Sequence, residues 1–253
     1  MSNKERKFSG LIANGFLMLT VNLLVIAGCI AMAVLTTDTD GNPDGVCISL
    51  AVILTIAALF NFKGIMQLEP NEAMVIMFFG KYKGTFTDTG YYWVNPFLTK
   101  KRLSMRARNL DSEPIKVNDK AGNPIMIGLM LVWKLKDTYK AMFEIDAQTM
   151  AESKAAGDAA AASAKTANIM NAFEKFVRIQ ADAALRQVAG QYAYDDGEQD
   201  NGELTLRDGS DEINKELEAK IDERLAMAGI EVIEARINYL AYAPEIAAVM
   251  LRR

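Results

Sequence analysis

The chain opens with two uncharged apolar runs. Leu11–Leu35 holds 25 residues without a charge, and Val46–Phe62 a further 17, closed by Lys63. A helix that crosses a bilayer needs about 20 apolar residues. The pattern therefore predicts a two-helix transmembrane hairpin over 11–63 (runs 11–35 and 46–62, link 36–45) behind a basic flank at 1–10. The first run spans comfortably. The second lies at the short end of the range, compatible with a full span or a shallow re-entrant segment. Neither run has a polar face, which argues against two helices buried in a soluble core. The first is too long for the h-region of a cleaved signal. Asn14, Thr20, Asn22, Ser49 and Thr55 are polar residues inside the runs, and the runs hold no ionisable Asp, Glu, Lys or Arg, which argues against a dedicated ion path. Cys29 and Cys47 read as small apolar fillers, because a thiol in lipid does not readily ionise.

The flanks orient the hairpin. Lys4, Arg6 and Lys7 precede it, opposed only by Glu5. The link carries Asp38, Asp40 and Asp44 and no base, and Lys63 comes directly after the second run, with Lys81 and Lys83 a little further on. An excess of Lys and Arg marks the cytoplasmic side, so the expectation is a two-pass protein of the cell membrane with both termini and the soluble part in the cytoplasm. Asp40-x-Asn42-x-Asp44-Gly45 imitates the start of a calcium loop, but its twelfth position, which should be a bidentate Glu, is Ala51. A solvated turn is the better reading.

Beyond Leu68 the period changes. Ala73–Phe79 is a short apolar run closed by Gly80, predicting a strand buried on both faces. Tyr91–Val94 is a second strand. Leu103, Met105 and Ala107 then alternate with Arg102, Ser104, Arg106 and Arg108, predicting a half-exposed strand. Ile115–Val117 leads into a turn at 118–123, and Ile125–Leu135 is the longest strand, with Gly128 at a bulge. After Asp137 the spacing becomes helical. Ile169, Phe173, Phe176, Val177, Ala181, Ala184, Leu185 and Val188 form one stripe of period 3.6. A second helix carries Asp211 and Glu212 in its first turn, an apolar line Ile213, Leu217, Ile221 and Leu225, and Gly229 as its stop. A strand with Ile233, Ala235, Ile237 and Tyr239 on one face comes next, and Pro244 opens a last helix. The class is α+β behind a membrane hairpin, with a strand-rich part at 68–145, an α/β part at 146–243 and the start of a C-terminal helix at 244–253.

Composition removes several kinds of chemistry. The 253 residues include no histidine, so no Ser-His-Asp or Cys-His relay and no HExxH zinc site can form. Two cysteines outside any CxxC pair make no disulfide framework. The 28 Lys and Arg against 32 Asp and Glu leave a net charge of −4, which argues against nucleic acid as a partner. Ser153 and Lys154 are adjacent and point apart on a helix, and no P-loop or G-x-G-x-x-G is present. Asp195, Asp196, Glu198 and Asp200 read as a solvated acidic loop. No cofactor or metal is expected.

Several segments resemble, in order, those of the SPFH (band 7) family of stomatins, prohibitins and flotillins. They are Leu68-Glu69-Pro70-Asn71-Glu72, Phe79-Gly80-Lys81-Tyr82-Lys83-Gly84-Thr85, Gly90–Phe97, Asp119–Ile125, Ala184-Leu185-Arg186, and Ala228–Val232 continuing to Arg236-Ile237. Thr89 stands where the family usually has Pro. Family members commonly continue into a long Ala/Glu-rich helix that makes coiled coils between subunits; here the last helix has run ten residues at Arg253. The expectation is a shortened form or an assembly that uses other contacts. The resemblance implies an SPFH domain and a non-enzymatic, homo-oligomeric scaffold, a ring or cage that organises a patch of bilayer and recruits or restrains membrane proteins, membrane proteases among them. The rival classes are a membrane-associated hydrolase and an accessory subunit of a transport complex.

Two surfaces are candidates for this work. Phe97, Leu98, Lys100, Lys101, Arg102, Arg106 and Arg108 bring five bases and no acid beside aromatic residues, which suits anionic lipid headgroups; one exposed strand face accounts for them equally well. Glu174, Arg178, Asp182 and Arg186 alternate in sign at four-residue spacing and form the candidate lateral contact between subunits.

Overall fold

The computed structural model describes residues 5–35, 45–144, 161–195, 204–207 and 210–250. The link 36–44 with its calcium-loop look-alike, the Ala-rich stretch up to 160 that contains Ser153 and Lys154, and Asp196, Glu198 and Asp200 lie outside the described residues. The architecture is mixed α+β: two apolar helices, a strand-rich stretch, then helices and a closing strand. Contacts divide it into two compact units, Lys4–Arg102 and Leu103–Arg253.

In the first unit, α1 (Gly15–Leu35) and α2 (Gly45–Phe62) have 21 and 18 residues, about 31 and 27 Å at 1.5 Å per residue. Both are long and apolar enough to cross a membrane. They pack on each other, with Asn22, Cys29, Ala51 and Ala58 buried, while Leu17, Leu24, Ile53, Ile56 and Leu59 are exposed. The first helix starts four residues inside its apolar run. Ile12–Asn14 form instead a short strand, β1, paired with β5 (Gly90–Val94), and the Asn14 side chain accepts from the Phe16 amide at 3.0 Å, which caps the helix. The hydroxyls of Thr20, Ser49 and Thr55 each donate to a carbonyl of their own helix.

Strand pairing gives two three-stranded sheets, ordered β1-β5-β2 and β4-β3-β6, with β2 at Ile65–Leu68, β3 at Glu72–Phe78, β4 at Lys81–Phe86 and β6 at Thr99–Ser104; the β1–β5, β2–β5 and β3–β4 pairs are antiparallel. Ala73 to Met77 are all buried, the two-sided burial that their continuous apolar run predicts. Phe79 lies outside the strand, in the turn with Gly80; both have positive φ (43° and 81°), the sign pattern of the tight hairpin turns that suit strand twist, and the Phe79 ring is 82% exposed. Phe8, Met66, Leu68, Met74, Ile76, Phe86 and Val94 form the core. The residues before β1 contribute to it: Phe8 N donates to Thr85 O at 2.9 Å and Thr85 N to Arg6 O at 2.8 Å, so they cover the edge of β4.

In the second unit, β7 (Arg108–Asn118), β8 (Pro124–Leu135) and β9 (Ile230–Tyr242) form one antiparallel sheet in that order. The helices are α3 (Thr138–Phe143), α4 (Ala161–Ala189), α5 (Ser210–Leu225) and α6 (Pro244–Met250). Ile213, Leu217, Ile221 and Leu225 of α5 are fully buried. At about 1.5–3 kcal/mol for each such side chain, that line fixes an otherwise polar helix to the sheet. On α4 the predicted stripe is buried from Phe173 to Val188. Helix side chains also satisfy the sheet's outer backbone groups: Asp222 and Asn214 of α5 accept from the amides of Val232 and Ile237, and Arg186 of α4 donates to Lys116 O.

Two local readings change. The alternation over 102–108 is not one strand: β6 stops at Ser104, whose hydroxyl accepts from the Arg106 amide at 3.4 Å, and β7 begins at Arg108. Ile233 and Tyr239 do not share a buried face with Ala235; they are 44% and 48% exposed. The cause lies in the β8–β9 register, which slips between Val132 and Trp133 and again between Gly128 and Leu129. Each extra residue in β9 reverses the facing of the residues beyond it. Gly128 does sit at a bulge, as its place in the strand predicts.

Gly229 ends the helical turn before β9 with φ 65°, and its carbonyl accepts from the amides of Lys136 and Asp137 at 2.8 and 3.0 Å. A Cβ there would lie 2.3 Å from Asp137 O, whereas at Gly122 (φ 85°) it would meet nothing. Gly122→Ala is therefore expected to cost about 1–2 kcal/mol from backbone strain alone, and Gly229→Ala clearly more. Thermal unfolding of the full chain in detergent, monitored by tryptophan fluorescence, checks this; equal losses would show that the contact with Asp137 carries no weight.

Candidate functional site

The β1-β5-β2 sheet joins both apolar helices almost without connecting residues. Asn14 ends β1 and Gly15 begins α1; only Lys63 and Gly64 separate α2 from β2. Tyr91 and Trp93 of β5, two residues apart, meet the two helix ends. Tyr91 packs on Phe16 with ring centroids 4.9 Å apart, and Trp93 Nε1 donates to Asn61 O at 3.0 Å. The same turn of α2 reaches the other helix, since Asn61 Nδ2 donates to Asn22 Oδ1 at 3.0 Å, with Asn22 only 2% exposed.

Of the seven residues predicted to meet headgroups, five belong to this unit. Phe97 is 60% exposed and packs on Phe60 with centroids 5.1 Å apart, while Leu98 turns against the core. Lys100 points at the end of α2, donating to Lys63 O at 2.6 Å and Ile65 O at 3.1 Å. Burial, together with the neighbouring Lys63 charge, lowers its pKa to about 8. Lys101 is half-buried. Arg102 donates to Gln67 O at 2.6 Å and lies 3.5 Å from Glu72, so its charge has a partner that the local sequence does not contain. Arg106 and Arg108 fall in the second unit, beyond the break after Ser104.

The sign-alternating ladder lies on α4. Asp182 accepts from the Ser112 hydroxyl at 3.0 Å, and Arg186 donates to Lys116 O at 3.2 Å. These two side chains therefore bind the helix to β7. Glu174 and Arg178 are half-buried on the earlier turns of the helix. Among the described residues no group of three or more Cys, Asp or Glu gathers as a metal site would require.

Sequence reading misses Tyr91, Trp93, Asn61 and Lys63 as parts of one arrangement. The signal was present in type, since Trp and Tyr favour the ends of membrane spans, but β5 comes some thirty residues after α2 in the chain. Only the pairing of β5 with β1 and β2 brings it there.

These features define a class: a membrane-associated protein whose two apolar helices run directly into an α+β domain. The family is the SPFH domain / Band 7 family, whose model matches residues 66–253, and the chain belongs to it. Proteins of this family are generally non-catalytic membrane scaffolds. No curated protein matches the chain.

The lowered Lys100 value has a sign set by linkage. Its folded pKa lies below the ordinary 10.5, so the shift weighs against folding below about pH 8, and that penalty fades as pH rises from 8 towards 10.5. Because Lys63 supplies part of the shift and burial the larger part, Lys63→Gln is expected to raise the Lys100 titration without restoring it to 10.5. Nitrogen NMR of labelled lysine side chains between pH 6.5 and 11 reads this directly. An unmoved titration would mean that burial accounts for the whole shift.

Proposed function

We propose that this protein is an oligomeric membrane scaffold. It spans the cell membrane twice with both termini and its SPFH domain in the cytoplasm, organises a patch of bilayer, and recruits or restrains membrane proteins such as membrane proteases. The observation that carries the reading is the junction of α1 and α2 with the β1-β5-β2 sheet. An anchor joined to this sheet by a strand rather than a flexible linker holds the sheet at a set height and orientation, which suits a scaffold built from repeated copies. The excess of bases outside the link, with acids inside it, supports the orientation. Phe97 and Lys100, at the end of α2, suit contact with the bilayer surface; Lys101 and Arg102 of the same unit are further candidates, Leu98 less so because it turns against the core, and Arg106 and Arg108 of the second unit are proposed to meet headgroups on their own account.

Glu174, Arg178, Asp182 and Arg186 are the proposed lateral contact between subunits. Since Asp182 and Arg186 also bind α4 to β7, the informative change is at the other two. Extraction in a mild detergent, then mass photometry and negative-stain imaging, tests assembly. A discrete ring or cage of many copies is the expected result, and monomers alone would contradict the reading. Glu174→Lys together with Arg178→Glu is expected to move the mass distribution towards smaller species, with a roughly tenfold loss of association, because charges facing their like across an interface cost several kcal/mol at most and are screened at the rim. A distribution identical to the parent's would remove both residues from the contact.

A further inference from the structure

The end of α2 holds more positive charge than the protein compensates. Lys100 sits half-buried with two of its three N–H groups on Lys63 O and Ile65 O, and among the described residues its third N–H has no protein acceptor. The charged neighbour that acts on it is another ammonium, that of Lys63, which itself lies 5.9 Å from the centre of the Phe60 ring. Arg102, two residues along β6 from Lys100, takes Glu72 for itself. The carbonyls at a helix C-terminus amount to about half a negative charge, against two ammoniums. A partly desolvated ammonium beside a like charge is costly unless an anion joins it.

We propose that Lys63 and Lys100 hold the phosphate of an anionic glycerophospholipid at the end of α2. This rests on the reading that α2 crosses a bilayer, with its Lys63 end at headgroup level. One non-bridging oxygen takes the free N–H of Lys100 and the other meets the exposed Lys63. The exposed Phe97 ring, packed at a tilt on the Phe60 ring that Lys63 overlies, and the indole of Trp93 bonded to Asn61 O offer apolar surface at the same end of α2. That surface suits glycerol and the first methylenes of an acyl chain and offers nothing to a free phosphate ion, which is the reason to assign a lipid.

The test is native mass spectrometry of the full chain released from nanodiscs of phosphatidylcholine with one part in five phosphatidylglycerol. Phosphatidylglycerol is expected to be retained several-fold above its share. Lys63→Gln, at an exposed position outside the core, is expected to reduce that preference about fivefold, and Lys63→Gln with Lys100→Gln to abolish it. Lys81→Gln, on the far turn of the β3–β4 hairpin, should change nothing. No preference in the parent chain, or an unchanged preference in Lys63→Gln, would overturn the proposal. So would displacement of the retained lipid by millimolar inorganic phosphate, which would make the site one for the free ion. A carbonate wash of the membranes separates the two levels. A chain removed by the wash refutes the spanning reading itself, whereas a chain that stays embedded and shows no preference refutes the lipid site alone.

Discussion

The carbonyls that end an apolar helix must find donors, and where water is scarce the protein has to supply them. At the end of α2 this constraint selects the rest of the first unit. Asn61 O takes the indole N–H of Trp93, and just beyond the helix Lys63 O of the turn and Ile65 O of β2 take Lys100. Trp93 reaches Asn61 because β5 lies between β1 and β2, and those two strands leave from the two helices. One set of hydrogen bonds thus closes the helix, pins the sheet to it, and determines which side chains stand at the junction. The Asn22–Asn61 pair extends the same turn to α1, so that a polar contact joins two helices whose buried residues include the small Cys29, Ala51 and Ala58.

The second unit solves a related problem differently. A three-stranded sheet has two edges, each a row of amides and carbonyls open to pairing with another chain. Here α4 and α5 reach over with side chains rather than backbone: Arg186 on β7, and Asn214 and Asp222 on β9. The two bulges of β9 change the facing of its residues, and helix carboxylate and amide groups meet Val232 and Ile237 beside them. Charge on these helices is therefore partly structural, and a charged helix face cannot be equated with a face left free for a partner.

The same dependence on distant neighbours explains which features were legible in the sequence. The apolar lines of α4 and α5, the doubly buried β3, the stop at Gly229 and the bulge at Gly128 each depend on residues close together in the chain, and periodicity or local backbone preference marks them. Ile233 and Tyr239 were misread because a bulge adds one residue without altering composition, so the alternation of residue types continued after the backbone had reversed it. Arg102 looked uncompensated because Glu72 lies thirty residues upstream, on the neighbouring strand β3. Asp182 and Arg186 looked outward-facing because their partners, Ser112 and Lys116, belong to a strand seventy residues earlier. Local pattern carries the elements; the pairing of charges depends on which elements become neighbours.

The lengths of the two helices bear on where the uncompensated charge falls. At about 27 Å, α2 is slightly shorter than a hydrocarbon core of about 30 Å, while α1 at about 31 Å matches it. A short span is accommodated by local thinning or by flanking side chains that extend to the polar layer, at a fraction of a kcal/mol per ångström. Lys63 is free to extend in this way, but Lys100 is not, because its ammonium is held by two carbonyls of the junction. With α2 spanning as proposed, the mismatch would draw headgroups towards Lys100 rather than Lys100 towards the headgroups. A headgroup drawn to a fixed ammonium meets it with little further ordering of the protein, and low ordering cost is what makes a weakly charged site selective. In the proposed site the short helix and the fixed lysine would act together: one would bring phosphate to the level of the junction, and the other would give it a position to occupy.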